Sequence, residues 1–335
     1  MINLKSVTAY IKIIRPVNTV MTGVAVALGA WLTFADTGDH PLITLAALMQ
    51  LTPIPMLMLA AMAAAAYGNV INDIRDIKSD RVSHPNRPLV DGTMPVRAAK
   101  IYAAGLAAAS LTFAGIAGAA YKPWMMSASS FSWEDHAACE PLWIFLSGAG
   151  WITSTFYLFA TLAPLILLTL YSIYFKRTRL VGNIVVSILP AYALLFGALP
   201  RPMVKILLLP AILAFLLNFC REIVKDIQDT AGDKAAGWTT SADLRPATIK
   251  NLLMAASAAY ISMVLMPAVI FGHFGMAYVL ACLLTVVPIH IYWTVLMQRS
   301  GIRENAGRIG LLLKLEMAAG LFALAFDKCA MYFIK

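Results

Sequence analysis

The sequence predicts an all-α membrane protein, a polytopic bundle of about nine transmembrane helices with two pseudo-repeated halves around a central cavity. Composition is the first reason, because 60% of the 335 residues are hydrophobic and only 13% are charged, whereas about a quarter of a soluble domain is charged. The second is a series of apolar segments of ~20 residues, the length that crosses a bilayer. The third is a charged motif that occurs twice, each time after a long apolar segment.

The chain reads as one integral-membrane domain over residues 1–335. Its predicted spans lie at 17–34, 43–71, 96–120, 151–175, 180–199, 204–220, 249–271, 276–297 and 309–334. The opening residues, MINLKSVTAYIKIIRPVN, mix basic and apolar side chains and predict an interfacial helix rather than a cleaved signal peptide. An outer-loop insertion at 121–143 contains three tryptophans, which favour an interfacial hairpin or short helix.

The basic residues predict the orientation. With the N-terminus inside, 21 of the 26 Lys and Arg residues fall on one face of the membrane, so that face is cytoplasmic by the positive-inside rule. We expect a multi-pass protein of the cell (inner or plasma) membrane, with the N-terminus and the charged motifs on the cytoplasmic side. The net charge of +9 follows from this topology and predicts no nucleic-acid partner.

The first charged motif covers residues 69–88. Asn72, Asp76 and Asp80 follow one another at i+4 spacing, and Asp73 adds a further carboxylate. On a helix this spacing places the three side chains on one face, where unpaired carboxylates repel. Mg²⁺ removes the repulsion, and it commonly binds carboxylates together with substrate phosphates. The pattern therefore predicts a magnesium half-site.

The second motif covers residues 221–240 and repeats the first. Lys225, Asp226, Asp229 and Asp233 stand 153 positions after Asn72, Asp73, Asp76 and Asp80. Duplicated halves of membrane proteins often face one cavity, so we expect two half-sites around a shared ligand. The predicted metal ligands are Asn72, Asp76, Asp80, Asp229 and Asp233. Two Mg²⁺ ions are expected, since one would not neutralise both rows and a diphosphate.

Basic side chains are interleaved with the acidic rows, and they leave alternatives open. Charges of both signs could neutralise one another at a helix end, or Lys and Arg could hold the phosphates of a diphosphate whose metal binds the carboxylates. A secondary transporter would also combine an apolar bundle with intramembrane charges. The i+4 acidic spacing and its position at the helix ends favour the diphosphate site over both.

These motifs together resemble the UbiA superfamily of intramembrane prenyltransferases. The matching elements are Asn72-x-x-x-Asp76-x-x-x-Asp80 with Asn86-Arg87-Pro88, Lys225-x-x-x-Asp229-x-x-x-Asp233, Arg15-Pro16-x-Asn18, Tyr171-Ser172 with Lys176-Arg177, and Gly182-Asn183. The second motif, REIVKDIQDTAGDKAAGWTT, is most similar to the branch that makes digeranylgeranylglyceryl phosphate. The loop at 121–143 is the main departure from the family pattern.

The resemblance implies a Mg²⁺-dependent transferase of lipid, specifically phospholipid, biosynthesis. Its partners would be the bilayer, a prenyl diphosphate and a lipophilic acceptor, and the expected prenyl donor is geranylgeranyl diphosphate. The expected acceptor group is the hydroxyl of geranylgeranylglyceryl phosphate, and an aromatic acceptor of quinone or chlorophyll-type pathways is the alternative within the family.

Roles for individual side chains follow from the same reading. Candidates for binding the diphosphate are Arg15, Arg87, Lys225 and Lys176. Candidates for contacting the rest of the substrates are Asn18, Tyr171 and Ser172. Asp73 or Asp226 is expected to take the proton of the acceptor hydroxyl, unless these carboxylates pair with Arg75 or Lys225.

Three further polar residues are interpreted as structural. His84 and His290 are scattered histidines with no metal-like spacing. Lys314, near Glu316 in the last span, is expected to reach toward the interface or to pair.

Overall fold

The computed structural model describes residues 4–34, 53–120, 150–200 and 205–333, and these form an all-helical bundle. The helices, in chain order, are α1 (Leu4–Ile13), α2 (Pro16–Phe34), α3 (Pro53–Ser83), α4 (Val96–Ala120), α5 (Gly150–Ile173), α6 (Val181–Gly197), α7 (Lys205–Ala235), α8 (Pro246–Val269), α9 (Met276–Ser300) and α10 (Ile302–Phe333). The insertion at 121–143 lies outside the described residues.

Nine of these helices match the predicted spans. Eight are long and apolar enough to cross a bilayer, and α6 is a shorter apolar helix of 17 residues. The chain is therefore a multi-pass membrane protein. Two predicted ends are wrong: α3 continues from 71 to Ser83, and α7 continues from 220 to Ala235. Both acidic rows thus lie on the final turns of long helices.

The duplicated motif lies on two helices of equal length. α3 and α7 are both 31 residues long, and each carries an acidic row near its C-terminus. The two helices pack against each other, and α2 packs against α6 in the same way. Equivalent helices of the duplicated motif therefore meet across the centre of the protein.

Glycines allow α2 and α6 to touch through their backbones. A Cβ on Gly29 would stand 2.0 Å from the carbonyl oxygen of Leu194, and one on Gly197 would stand 2.0 Å from that of Val26. Small residues are the usual means by which membrane helices approach closely. The contact fixes α2 against α6 beside the central cavity.

Candidate active site

The first acidic row is buried and paired with basic side chains from elsewhere in the chain. Asp73 Oδ1 accepts from Arg15 Nη2 at 2.5 Å and from Arg87 Nη1 at 3.2 Å. The same Arg87 nitrogen donates to Asp80 Oδ2 at 2.5 Å. Lys176 Nζ donates to Asp76 Oδ2. Each cation comes from outside α3, so the row draws the loop after α3, the start of α2 and the turn after α5 to one place.

Asp76 has one carboxylate oxygen that is not used in hydrogen bonding among the described residues. Its Oδ2 accepts from Lys176 and, at 2.7 Å, from Asn72 Nδ2, while its buried Oδ1 has no hydrogen-bond partner among the described residues. Asn72 Oδ1 in turn accepts from Lys176 Nζ at 3.3 Å. An unsatisfied buried carboxylate oxygen is costly, and it is a normal feature of a site that receives a ligand.

The second acidic row lies against the first. Asp233 Oδ1 accepts from Ser79 Oγ at 2.8 Å, and Asp229 Oδ1 lies 2.9 Å from His84 Nε2. Gly232 makes the approach possible, because a Cβ there would stand 2.3 Å from the carbonyl oxygen of Ser79. The rows of α3 and α7 are thus side by side at one end of the bundle.

Lys176 connects the two rows. Burial alone would lower the pKa of its ammonium group, but the carboxylate of Asp76, with further contributions from Asp229 and Asp233, raises that pKa above its ordinary value. The side chain therefore stays charged throughout the physiological pH range. It contacts Asp76 and Asn72 of the first row, where it could also donate to a bound anion.

Arg15 is held in the left-handed backbone region, with a φ of 52°. Such a conformation costs about 1–3 kcal/mol in a residue other than glycine. It separates α1 from α2 and directs the guanidinium to Asp73, 2.5 Å away. Burial by itself would lower the pKa of the Arg15 guanidinium, but the carboxylate of Asp73 outweighs burial, and the pKa is raised above its ordinary value. The strain supports a fixed charge at the mouth of the cavity.

A large, mostly apolar cavity begins beside these charges. It has about 1940 Å³ of empty volume, its open mouth included, and residues of eight helices, α2, α3 and α5–α10, line it. Arg15, Asn18 and Asn72 lie at its polar end, whereas the lining from α8 and α9 includes Val264 and Val286. The arrangement suits an amphipathic ligand whose anionic end binds at the acidic rows and whose hydrocarbon part lies between the helices.

Two of the three predicted substrate-contacting residues line this cavity, and Ser172 does not. Asn18 and Tyr171 line it. Ser172 is buried next to Tyr171, and its Oγ has no hydrogen-bond partner among the described residues. Of the predicted diphosphate-binding residues, Arg15 and Lys225 line the cavity, while Arg87 and Lys176 bind the carboxylates beyond it.

Asp73 and Asp226 do not form the alternative pairs with Arg75 and Lys225. Asp73 binds Arg15 and Arg87, while Arg75 points outward and is exposed. Asp226 Oδ2 accepts from Asn183 Nδ2 at 2.9 Å and from Ser241 Oγ at 2.6 Å, instead of pairing with Lys225. The arrangement of neighbouring helices, which the sequence does not reveal, decides both outcomes.

Sequence reasoning missed His84 as a member of the site. Its contact with Asp229 joins the end of α3 to α7 and places His84 beside the second acidic row, while its interpretation as a structural histidine stays a prediction. The signal was present, because His84 follows Asp80 at the same i+4 step that relates Asn72, Asp76 and Asp80. For His290 the structural interpretation agrees with the structure: it lies 2.7 Å from Glu316 and 2.6 Å from Ser257 within the core.

The donor set fits Mg²⁺ bound together with a phosphorylated ligand. In the described part of the chain no three His, Cys, Asp or Glu side chains converge as a preformed metal cage. Mg²⁺ rarely uses such cages and is usually held by one or two carboxylates, waters and substrate phosphates. The unsatisfied Oδ1 of Asp76 and the adjacent carboxylates Asp80 and Asp233 are ligands of that kind.

Fold and site together define a polytopic membrane protein with a large, mostly apolar cavity. Paired acidic and basic side chains lie at the entrance of this cavity. The sequence matches the UbiA prenyltransferase family over residues 41–133 and 138–312, which includes most of the insertion at 121–143. The chain belongs to the UbiA prenyltransferase family. It is therefore an enzyme that transfers prenyl groups.

Curated relatives carry a more particular name. The digeranylgeranylglyceryl phosphate synthase of Methanoculleus marisnigri is 31% identical over 240 residues, covering 70% of this chain and 67% of the relative. The enzyme of that name from Methanothermobacter thermautotrophicus is 27% identical over 316 residues, covering 94% of each.

Solved structures share the fold. A structure from work on digeranylgeranylglyceryl phosphate synthase in membranes has a TM-score of 0.66 at 21% identity, covering 98% of this chain and 100% of the other. A UbiA homologue from Archaeoglobus fulgidus bound to GPP and Mg²⁺ has a TM-score of 0.59 at 18% identity, covering 94% and 99%.

Proposed function

We propose that this enzyme transfers a geranylgeranyl group from geranylgeranyl diphosphate to the hydroxyl of geranylgeranylglyceryl phosphate and releases diphosphate. The observation that carries the proposal is the pairing of the acidic ends of α3 and α7 at the mouth of an apolar cavity. The names of the two curated relatives support this acceptor over an aromatic one.

The acidic rows would bind the metal. Asp76 and Asp80 on one helix and Asp229 and Asp233 on the other are the proposed carboxylate ligands, and Asn72 adds an amide oxygen. The Mg²⁺ bound with GPP in the Archaeoglobus fulgidus homologue supports a divalent metal here, and we propose two ions. When bound, Mg²⁺ offsets the negative charge that grows on the departing diphosphate.

The cations at the mouth would bind the diphosphate. Arg15, Arg87, Lys176 and Lys225 carry fixed positive charge beside the acidic rows. As the bond between the prenyl C1 and the diphosphate oxygen breaks, the electron pair leaves with the diphosphate, and donors already in position stabilise that charge where it develops. Lys176 and Arg87 exchange a carboxylate partner for a phosphate oxygen when the substrate binds.

The acceptor oxygen then forms the new ether bond to C1 and loses its proton. Tyr171 and the apolar wall around it would shield the allylic cation from water. Asp73 is our candidate base, because both of its guanidinium partners bind Oδ1 and it adjoins the cavity-lining Arg15. Asp226, held by Asn183 and Ser241, is the second candidate and is better suited to positioning α7.

The cytoplasmic side is the proposed location of the site. The acidic ends of α3 and α7 belong to the face that carries 21 of the 26 basic residues, so the positive-inside rule places them toward the cytoplasm of the cell membrane. Water-soluble diphosphate would then leave into the cytoplasm.

The test is an assay of purified protein with geranylgeranyl diphosphate and a panel of acceptors, read by mass spectrometry. We expect the digeranylgeranyl product with geranylgeranylglyceryl phosphate, no product after EDTA treatment, and recovery on adding Mg²⁺. Transfer to 4-hydroxybenzoate or another aromatic acceptor, with none to the glyceryl phosphate, would contradict the proposed acceptor.

A further inference from the structure

Three basic residues lie inside the cavity, beyond the acidic row of α7. Arg221 and Lys225 on α7 and Lys314 on α10 all line the cavity, and they are called here the inner basic cluster. At 1.5 Å per residue, Lys225 and Arg221 lie roughly 6 Å and 12 Å along α7 from Asp229. Arg221 therefore lies about two helical turns from Asp229, one of the proposed metal ligands.

Lys314 is the member whose charge has no local explanation. It shares the cavity-facing side of α10 with Met317 and Leu321, within an apolar span. No described residue forms a hydrogen bond or ion pair with it, and its side chain is exposed, so of the two expected arrangements the structure does not show the pairing. A charge inside a membrane span is costly and usually functional.

The cluster has excess positive charge. Lys314 lies in a field made by Arg221, Arg15 and Lys225, which repel it, and by Glu222, which attracts it. Arg15 is already paired with Asp73. Glu222 accepts from Arg221 at 2.5 Å and from Lys225 at 3.4 Å. The inner basic cluster and this one carboxylate therefore leave a net charge of about +2, which matches a phosphate monoester at pH 7.

We propose that the inner basic cluster binds the phosphate monoester of the acceptor lipid through Arg221 and Lys314, while Lys225 lies between these two residues and the site of the departing diphosphate. This assignment rests on the proposed function and extends it, because it explains how an acceptor with a phosphate is selected. In such an acceptor the hydroxyl and the phosphate are on adjacent glycerol carbons. Phosphate held at the cluster therefore keeps the hydroxyl close to the neighbouring diphosphate site, whereas a singly charged aromatic acid would leave positive charge uncompensated.

The test measures binding of geranylgeranylglyceryl phosphate to the purified full-length protein by calorimetry, without Mg²⁺ or prenyl diphosphate. Lys314→Met should weaken binding roughly 10- to 100-fold, since a charge-assisted contact is lost, and Lys314→Arg should restore most of it. Arg308→Met is the matched control, because Arg308 lies on the same helix but outside the cavity lining and is exposed. It should bind as the wild type does.

A phosphate-free acceptor isolates the contact. Geranylgeranylglycerol should bind the wild type and Lys314→Met equally, and the KM for geranylgeranyl diphosphate should stay within about twofold in the variant. The assignment is overturned if Lys314→Met leaves phosphate-acceptor binding intact or weakens both acceptors by the same factor. Absence of any transfer by the wild type to the phosphorylated acceptor would instead contradict the proposed function.

Discussion

The two oxygens of Asp76 have different surroundings, and this difference singles out the residue within its row. Oδ2 is bound by Asn72 and Lys176, whereas Oδ1 is buried without a partner among the described residues. The carboxylate is thus oriented by one oxygen and available through the other, as expected of a metal ligand with a second layer of support.

Replacing Asp76 by Asn should abolish most of the activity. The amide keeps the shape but removes the charge that holds the metal, so kcat should fall roughly a thousandfold, equal to about 4 kcal/mol of transition-state stabilisation. Product formation by mass spectrometry measures the loss, and size-exclusion chromatography checks folding. Asp91→Asn, at an exposed position outside the site, is the control. A folded Asp76→Asn protein with wild-type kcat would refute the ligand assignment.

Comparison of Asp73 with Asp226 should identify the base. We expect Asp73→Asn to lower kcat by about 10²–10⁴-fold. Asp226→Asn, which removes a positioning contact with Ser241, should lower it less than tenfold. Single-turnover kinetics at saturating substrates separates this effect from binding. Equal losses of kcat in the two variants would contradict the assignment of Asp73 as the base that takes the proton of the acceptor hydroxyl.

The i+4 spacing was enough to predict most of the acidic site from sequence. It identified Asn72, Asp76 and Asp80 as one face, and all three are buried on the same side of α3. The same spacing extends to His84, but it does not reveal that His84 contacts Asp229, because that contact depends on the register between α3 and α7. That register is set by backbone contacts between helices, which leave no periodic signal.

At the scale of elements, the length of α3 and α7 is what brings the charges together. Hydropathy placed their ends at 71 and 220, since charged residues do not score as membrane-spanning. The helices continue because Ser79, Ser83 and His84 of one meet Asp229, Gly232 and Asp233 of the other. Hydropathy thus located the spans and missed the helix ends that carry the acidic rows.

Gly232→Ala should impair the enzyme without changing any charge. The added methyl group meets the carbonyl oxygen of Ser79 at 2.3 Å and Ser83 Oγ at 2.4 Å, so the helix ends must separate. We expect Mg²⁺-dependent activity to fall at least tenfold and the Mg²⁺ concentration for half-maximal rate to rise, as misplacement of a site by about 1 Å is costly. Gly307→Ala, where the new methyl group meets nothing within 4 Å, should behave as the wild type. An unchanged Mg²⁺ requirement in Gly232→Ala would contradict this role.

For the whole molecule, duplication and charge bias predict one orientation in the membrane. Impermeant maleimide applied to sealed cells should label His273→Cys, at the end of the bundle opposite the acidic rows. Lys78→Cys, beside those rows, should react only in inverted vesicles. Both positions are exposed, and the native cysteines are replaced in the background. The reverse labelling pattern would place the site outside the cell.

The backbone contact between α2 and α6 restricts where substrates and products can pass between the cavity and the lipid bilayer. Where Gly29 and Gly197 bring the two helices into contact, no gap is wide enough for a hydrocarbon chain. This side of the bundle is therefore closed, so the product of the proposed reaction, which has two hydrocarbon chains, has to enter the lipid between other helices. A bulky residue at either glycine would separate the two helices and open this side of the cavity to lipid. Substrate binding would then weaken although no catalytic group had changed.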